Sequence, residues 1–140
     1  MDNAAEWYAL TAVVLFLKMF ALALYQGRYR IGKRTFVVPE DARLAGTAPA
    51  QAELPEVERA ARAWRNDVEN IPVFLALGVA YVWVDAGPAA APWLFTGFAI
   101  ARVAHTVCYL RRLQPWRTVA YGIGALITLG MCLQILLALA

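Results

Sequence analysis

The chain has 140 residues, of which 61% are apolar and 16% charged, with a formal net charge of +3 and a mean hydropathy of +0.53. That balance exceeds what a soluble domain of this size carries and points to a polytopic membrane protein with no sizeable soluble part. The small cationic excess, interleaved with acids and apolar runs, argues against a nucleic-acid partner. Two cysteines without a CxxC spacing read as buried small apolar residues, and a single histidine with no Cys/His cluster gives no metal site.

Taken in chain order, apolar runs near the ~20 residues needed to cross a hydrocarbon core predict four spans, at about 7–25, 71–91, 93–113 and 119–140. The whole chain, 1–140, therefore reads as a single all-α integral membrane domain, a four-transmembrane-helix bundle. The first run opens with Asp2 and Glu6 rather than a basic patch, and no small-residue cleavage site closes it, so it reads as a span and not a signal peptide. It contains one charge, Lys18, which is either a functional intramembrane amine or a side chain snorkelling to the basic end. A loop is expected at about 26–54, where Gly27, Gly32, Pro39, Gly46 and Pro49 accumulate. Within it Glu40 and Asp41, just after Pro39, can start a short turn or cap a helix.

Pro55 then opens a helix in the favoured first-turn position, with Glu56 and Glu58 near its positive end. Pro72 inside it deprives the Val68 carbonyl of its usual partner, so a kink is expected there. The string DAGPAAAP closes that span, and a tight connection around Pro115 joins the last two.

Eight of the thirteen Lys and Arg residues lie between the first two spans and three at the join of the last two; Lys18 and Arg102 lie inside spans. Counting basic residues in short loops places both basic connections in the cytosol and both termini on the opposite side. An even number of spans agrees with that.

Chemistry then has to come from helix faces near the cytosolic boundary. Arg62, Arg65, Asn66 and Glu69 recur at i, i+3, i+4 and i+7, within an arc of about 100°. This is either a solvated helix start with an Arg65–Glu69 pair or a face turned to other helices or a ligand. Ala60, Ala61, Ala63, Trp64 and Val68 on the remaining positions favour the second. In the third span Arg102, His105 and Tyr109 lie within about 60° of one another. Arg102 is deep enough that it must either find a carboxylate, with Asp67 or Glu69 as the nearby anions, or line a watery cavity. Arg117, Thr118 and Tyr121 open the fourth span at the same level as Arg30. Four arginines suit carboxylates, Glu69 suits an amine, and a fixed cation favours a thiolate. Glutathione meets each of those demands.

The strings PEDA, ERAARAWRNDVENIPVFLALG, RVAHTVCYL and PWRTVAY, in this order and spacing, resemble the MAPEG family, the membrane-associated proteins of eicosanoid and glutathione metabolism. RVAHTV and PEDA are closest to its prostaglandin-synthase branch, and NDVENI to its glutathione-transferase branch. The resemblance covers essentially the whole chain and implies a homotrimer with glutathione bound between neighbouring subunits. It implies further that Arg30, Arg62, Arg65, Asn66, Glu69, His105, Tyr109, Arg117 and Tyr121 line the glutathione site. Arg117 would stabilise the thiolate, and Thr118 and Asp41 would take part in catalysis. Trp64 and Ala125 depart from the prostaglandin-synthase pattern, where a histidine and a glutamine are expected.

The expectation is a multi-pass membrane enzyme, in the inner membrane if bacterial and the endoplasmic reticulum if eukaryotic, whose site faces the cytosol. It would be of glutathione transferase or peroxidase type, acting on lipophilic electrophiles or hydroperoxides that arrive from the lipid bilayer. Two alternatives stand beside it: a prostaglandin-synthase-like, glutathione-dependent isomerase, and a glutathione-binding membrane protein without turnover.

Overall fold

A computed structural model describes residues 3–140, so Met1 and Asp2 lie outside the described residues. Five helices follow in order: α1 Ala4–Lys33, α2 Pro39–Leu44, α3 Pro55–Trp83, α4 Ala91–Leu110 and α5 Trp116–Leu139. Among the described residues, α1, α4 and α5 are long and apolar enough to cross a membrane. The charged first turns of α3 keep it out of that group, although its second half continues the apolar register from Ile71.

The first helix starts where Asn3 caps it, its side-chain oxygen accepting from the Glu6 N–H at 2.9 Å. It does not stop at the expected loop. It continues through Gln26 and both glycines to Lys33, with Arg30 and Lys33 in the last turn, where cations complement the helix dipole. Gly27 and Gly32 are tolerated because a helical glycine costs only about 1 kcal/mol. Arg34 ends the helix in the left-handed conformation, its N–H bonded to the Ile31 carbonyl and that of Thr35 to Arg30. The same paired closure ends α3 at Asp85 and α4 at Arg112, both at positive φ. The expected loop at 26–54 is therefore shorter than its glycines suggested, and α2 interrupts it. The second apolar run likewise stops its helix at Trp83, short of the expected residue 91, because Asp85, Gly87 and Pro88 turn the chain.

Helix α3 is unbroken across Pro72. It and α4 form the middle of the bundle: α1 and α5 each pack against both, and not against each other. Since lipid tails are as apolar as leucine, packing and polar contacts hold such helices together rather than the hydrophobic effect. The packing is aromatic. Phe74 and Phe98 stack with ring centroids 3.6 Å apart, and Phe95 receives the edges of Phe74, Tyr8 and Tyr81. The buried Tyr81 hydroxyl lies 2.5 Å from the Gly87 carbonyl and 2.7 Å from the Gln134 side-chain oxygen, tying α3 to the turn and to α5.

Gly78 lets α1 and α4 approach α3, because a Cβ there would come within 2.9 Å of Tyr8 and 3.1 Å of Phe95. Gly78→Leu should thus lower stability by about 1–3 kcal/mol through overpacking. Gly27→Ala, with nothing within 4 Å of the new Cβ, should raise it by up to about 1 kcal/mol if α1 is helical there. Thermal unfolding in detergent reads both, and a destabilised Gly27→Ala would place residue 27 in a loop after all.

Candidate functional site

A buried carboxylate organises the centre of the bundle. Asp67 on α3 is fully buried, and so, within a few per cent, are Arg102 on α4 and the Lys18 side chain on α1. Arg102 donates from Nη2 and Nε to Asp67 Oδ1, at 2.6 and 3.2 Å, while the Lys18 amine takes Oδ2. Arg102 Nη2 also donates to the Asn66 side-chain oxygen at 2.7 Å. Of the two acids that the sequence offered to Arg102, the structure selects Asp67; Glu69 is exposed. Lys18 is an ion-pair partner rather than a snorkelling side chain. A buried pair costs several kcal/mol of desolvation per ion, and here one carboxylate is shared by two cations.

Next to this cluster, at the basic end of the bundle, Asn66, His105, Tyr109, Arg117, Thr118 and Tyr121 line an open cleft of about 280 Å³. Helices α3, α4 and α5 each contribute. His105 is buried, with Nδ1 lacking any partner, and its ring sits against Tyr109 and Tyr121 at centroid distances of 5.7 and 6.3 Å. The Arg117 guanidinium lies over the Tyr109 ring, 4.7 Å from its centroid, a cation–π contact. With the Gln114 amide oxygen turned toward it, that guanidinium donates at 2.7 Å, and the Gln114 nitrogen then faces the Thr118 hydroxyl. A smaller depression, of about 150 Å³, continues from Tyr109 and Arg117 along Arg59, Arg62, Glu58 and Pro55.

The remaining candidates stand apart within one chain. Arg30 is engaged by Glu53, at 2.9 Å from Nε, and Lys33 by Glu56 at 3.0 Å, which clips the long connection to the end of α1. That hydrogen bond from Lys33 holds the Glu56 carboxyl below its ordinary range. Arg62 pairs with Glu58 at 2.7 Å, and the bond raises its pKa further above neutrality. Arg65 and Glu69 are exposed on α3 and form no pair with each other. Asp41 is exposed on α2 and does not line the cleft.

Sequence reasoning missed Glu53, Glu58 and Gln114, the side chains that occupy Arg30, Arg62 and Arg117. An acid four residues before Arg62 was a readable signal for Glu58. Nothing local in the sequence marks Glu53.

Residues 8–137 match the model of the MAPEG family. The chain is 41% identical to human "Prostaglandin E synthase" over 130 residues, covering 92% of this chain and 86% of that protein. It is 38% identical to the horse "Prostaglandin E synthase" over 95% and 88% of the two chains. Human "Microsomal glutathione S-transferase 1" is 33% identical over 96% and 90%. The chain belongs to the MAPEG family and is an integral membrane protein.

Removing the shared carboxylate should be far worse than removing one of its cations. Asp67→Leu strands Lys18 and Arg102 and should cost about 3–5 kcal/mol, enough to abolish recovery of folded protein. Lys18→Met leaves a neutral Asp67–Arg102 pair and should be recovered in good yield. Yield and thermal midpoint in detergent measure both, and equal losses would mean that Lys18 and Arg102 do not share Asp67.

Proposed function

We propose that this member of the MAPEG family is a glutathione-dependent membrane enzyme of transferase or peroxidase type. The observation that carries the reading is the environment of Arg117. It is a cation without a carboxylate partner among the described residues, braced over the Tyr109 ring and facing the cleft beside Thr118. A fixed cation in partly apolar surroundings lowers the pKa of a thiol placed against it. The name of the relative at 33% identity, "Microsomal glutathione S-transferase 1", supports the same chemistry.

In this reading glutathione enters from the basic side and its sulfur settles against Arg117. Arg62, Asn66, His105, Tyr109 and Tyr121 hold the remainder. Thr118 donates to or accepts from the sulfur, and Asp41 acts from the α2 segment. Thiolate attack on a lipophilic electrophile forms the C–S bond and expels the leaving group. With a hydroperoxide, two glutathiones are oxidised to the disulfide while the peroxide is reduced to an alcohol and water. An isomerase acting on an endoperoxide-like lipid is the second reading, favoured by the synthase relatives. Thr118, standing where that branch is expected to carry a serine, and Ala125, where a glutamine is expected, weigh against it.

One subunit presents half a site, since Arg30, Arg65 and Glu69 do not line its cleft. A homotrimer, with glutathione between neighbours, would bring these groups to it and give α3 the partners that its exposed polar stripe requires. In the same proposal the apolar half of α3 is the fourth span, and both termini face away from the cytosol. Trp83 and Trp93, largely exposed at one end, and Trp116 at the other would then mark the two interfaces.

Arg117→Leu should cut turnover with an aryl halide roughly 10- to 100-fold at neutral pH, the equivalent of one charge-assisted contact, with partial rescue at high pH as the thiol ionises unaided. Arg65→Ala should mainly raise KM for glutathione, with no such rescue. Identical kinetic signatures in the two variants would reduce Arg117 to a carboxylate clamp.

For the architecture, native mass in mild detergent should be three times that of the subunit, and a reporter fused after Ala140 should be active only on the non-cytosolic side. A monomer that still binds glutathione, or a reporter active in the cytosol, would overturn that part.

A further inference from the structure

Helix α4 has a second concave face, turned roughly opposite to the His105–Tyr109 side by its 3.6-residue period. There α1 and α4 flank two adjoining apolar depressions that together form an open groove. One, of about 430 Å³, runs along Val14, Ile100, Val103 and Val107. The other, of about 390 Å³, shares Val103 and Val107 and extends past Leu22 and Leu110 to Lys18, Tyr25 and Thr106. The lining is apolar except at one point.

At that point the polar groups are donors in excess. Thr106 is 8% exposed, and its hydroxyl has no hydrogen-bond partner. The Lys18 ammonium has three N–H donors, and among the described residues its one acceptor is Asp67 Oδ2. The Lys18–Asp67–Arg102 cluster carries two positive charges against one negative. An acceptor that brings a negative charge through the open side of the groove would satisfy the hydroxyl, the spare ammonium donors and the charge imbalance together. A buried hydroxyl or charge left unanswered costs more than one that is bonded.

We infer that the α1–α4 groove is a binding site for a single-chain carboxylate amphiphile, a free long-chain fatty acid. Its carboxylate is received by Lys18 and Thr106, and its chain lies along Val103, Val107 and Val14. The site is separate from the Arg117 cleft and does not depend on what that cleft binds. Charge selects the occupant. A bilayer phospholipid brings two chains and a headgroup held at the membrane surface, whereas Lys18 lies ten residues, roughly 15 Å of helix, below Arg28. A neutral alcohol of equal length brings no anion.

The test uses the purified full chain in dodecyl maltoside, with hexadecanoate as the probe and hexadecanol as its neutral match. Hexadecanoate should bind saturably, at least about tenfold tighter than hexadecanol, because a charge-assisted contact outweighs a neutral one. Val103→Trp, which fills the groove and leaves the ion cluster intact, should abolish that binding while the protein keeps its thermal midpoint and its mass in detergent. Thr106→Val should weaken hexadecanoate roughly threefold to tenfold and hexadecanol little. Lys18→Met should erase the difference between the two probes. Equal affinity for both probes in the unaltered chain would overturn the inference, as would hexadecanoate binding that survives Val103→Trp. A change of oligomeric mass in Val103→Trp would assign the groove to a second copy of the chain instead, and tightly retained phospholipid that hexadecanoate cannot displace would assign it to the bilayer.

Discussion

One carboxylate, Asp67, shared by cations from two other helices, is the contact on which the arrangement depends. Lys18 reaches it from α1 and Arg102 from α4, so three long helices meet at a single side chain with no exposure to solvent. Dispersion between apolar faces cannot fix rotation or register in a membrane, because lipid competes for every such face on nearly equal terms. An ion cluster can. Rotating any of the three helices away would leave a charge unpaired in hydrocarbon, at a cost exceeding that of most packing changes. The aromatic stack of Phe74, Phe98 and Phe95 lies further along the same two helices and follows from that register.

The cluster also orients the cleft. Because Arg102 holds the Asn66 oxygen at 2.7 Å, the nitrogen end of that amide is left as the donor on the cleft side. His105, one turn beyond Arg102 on α4, lines the same cleft, its Nδ1 buried and without a partner among the described residues. Neither orientation is set by the cleft itself; both are inherited from α3 and α4 being locked at Asp67. A site built on rigid helices and braced from behind holds its geometry without a ligand, which is the condition for stabilising developing charge without reorganisation.

How much of this could be read from the sequence divides by the range of the interaction. Helix periodicity put Arg62 and Asn66, and His105 and Tyr109, on common faces, and the order of apolar runs marked out α1, α4 and α5. The extent of α1 was not legible, because Gly27 and Gly32 look like loop residues and the capping geometry that ends the helix belongs to Arg34, which carries no such signature. Intramembrane Lys18 and Arg102 were visible as anomalies, yet their common partner was not, since choosing Asp67 over Glu69 depends on which face of α3 meets α4. The Arg30–Glu53 pair spans a connection whose path no local rule specifies.

The cations at the basic end fall into two kinds, and the distinction bears on how a charged ligand would be received. Arg30 and Arg62 already hold Glu53 and Glu58, both pairs on partly exposed side chains. Exposed pairs of this kind are worth about 0–1 kcal/mol, so a ligand carboxylate offering a bidentate contact can displace either acid at little cost. Arg117 differs. Its neighbours are a tyrosine face and a neutral amide, so its charge is not spent on any anion among the described residues, and a negative centre arriving beside it displaces none of them. Division of labour follows from that difference: exchangeable arginines suit the permanent charges of a ligand, while the uncompensated one suits a charge that appears only when a proton leaves.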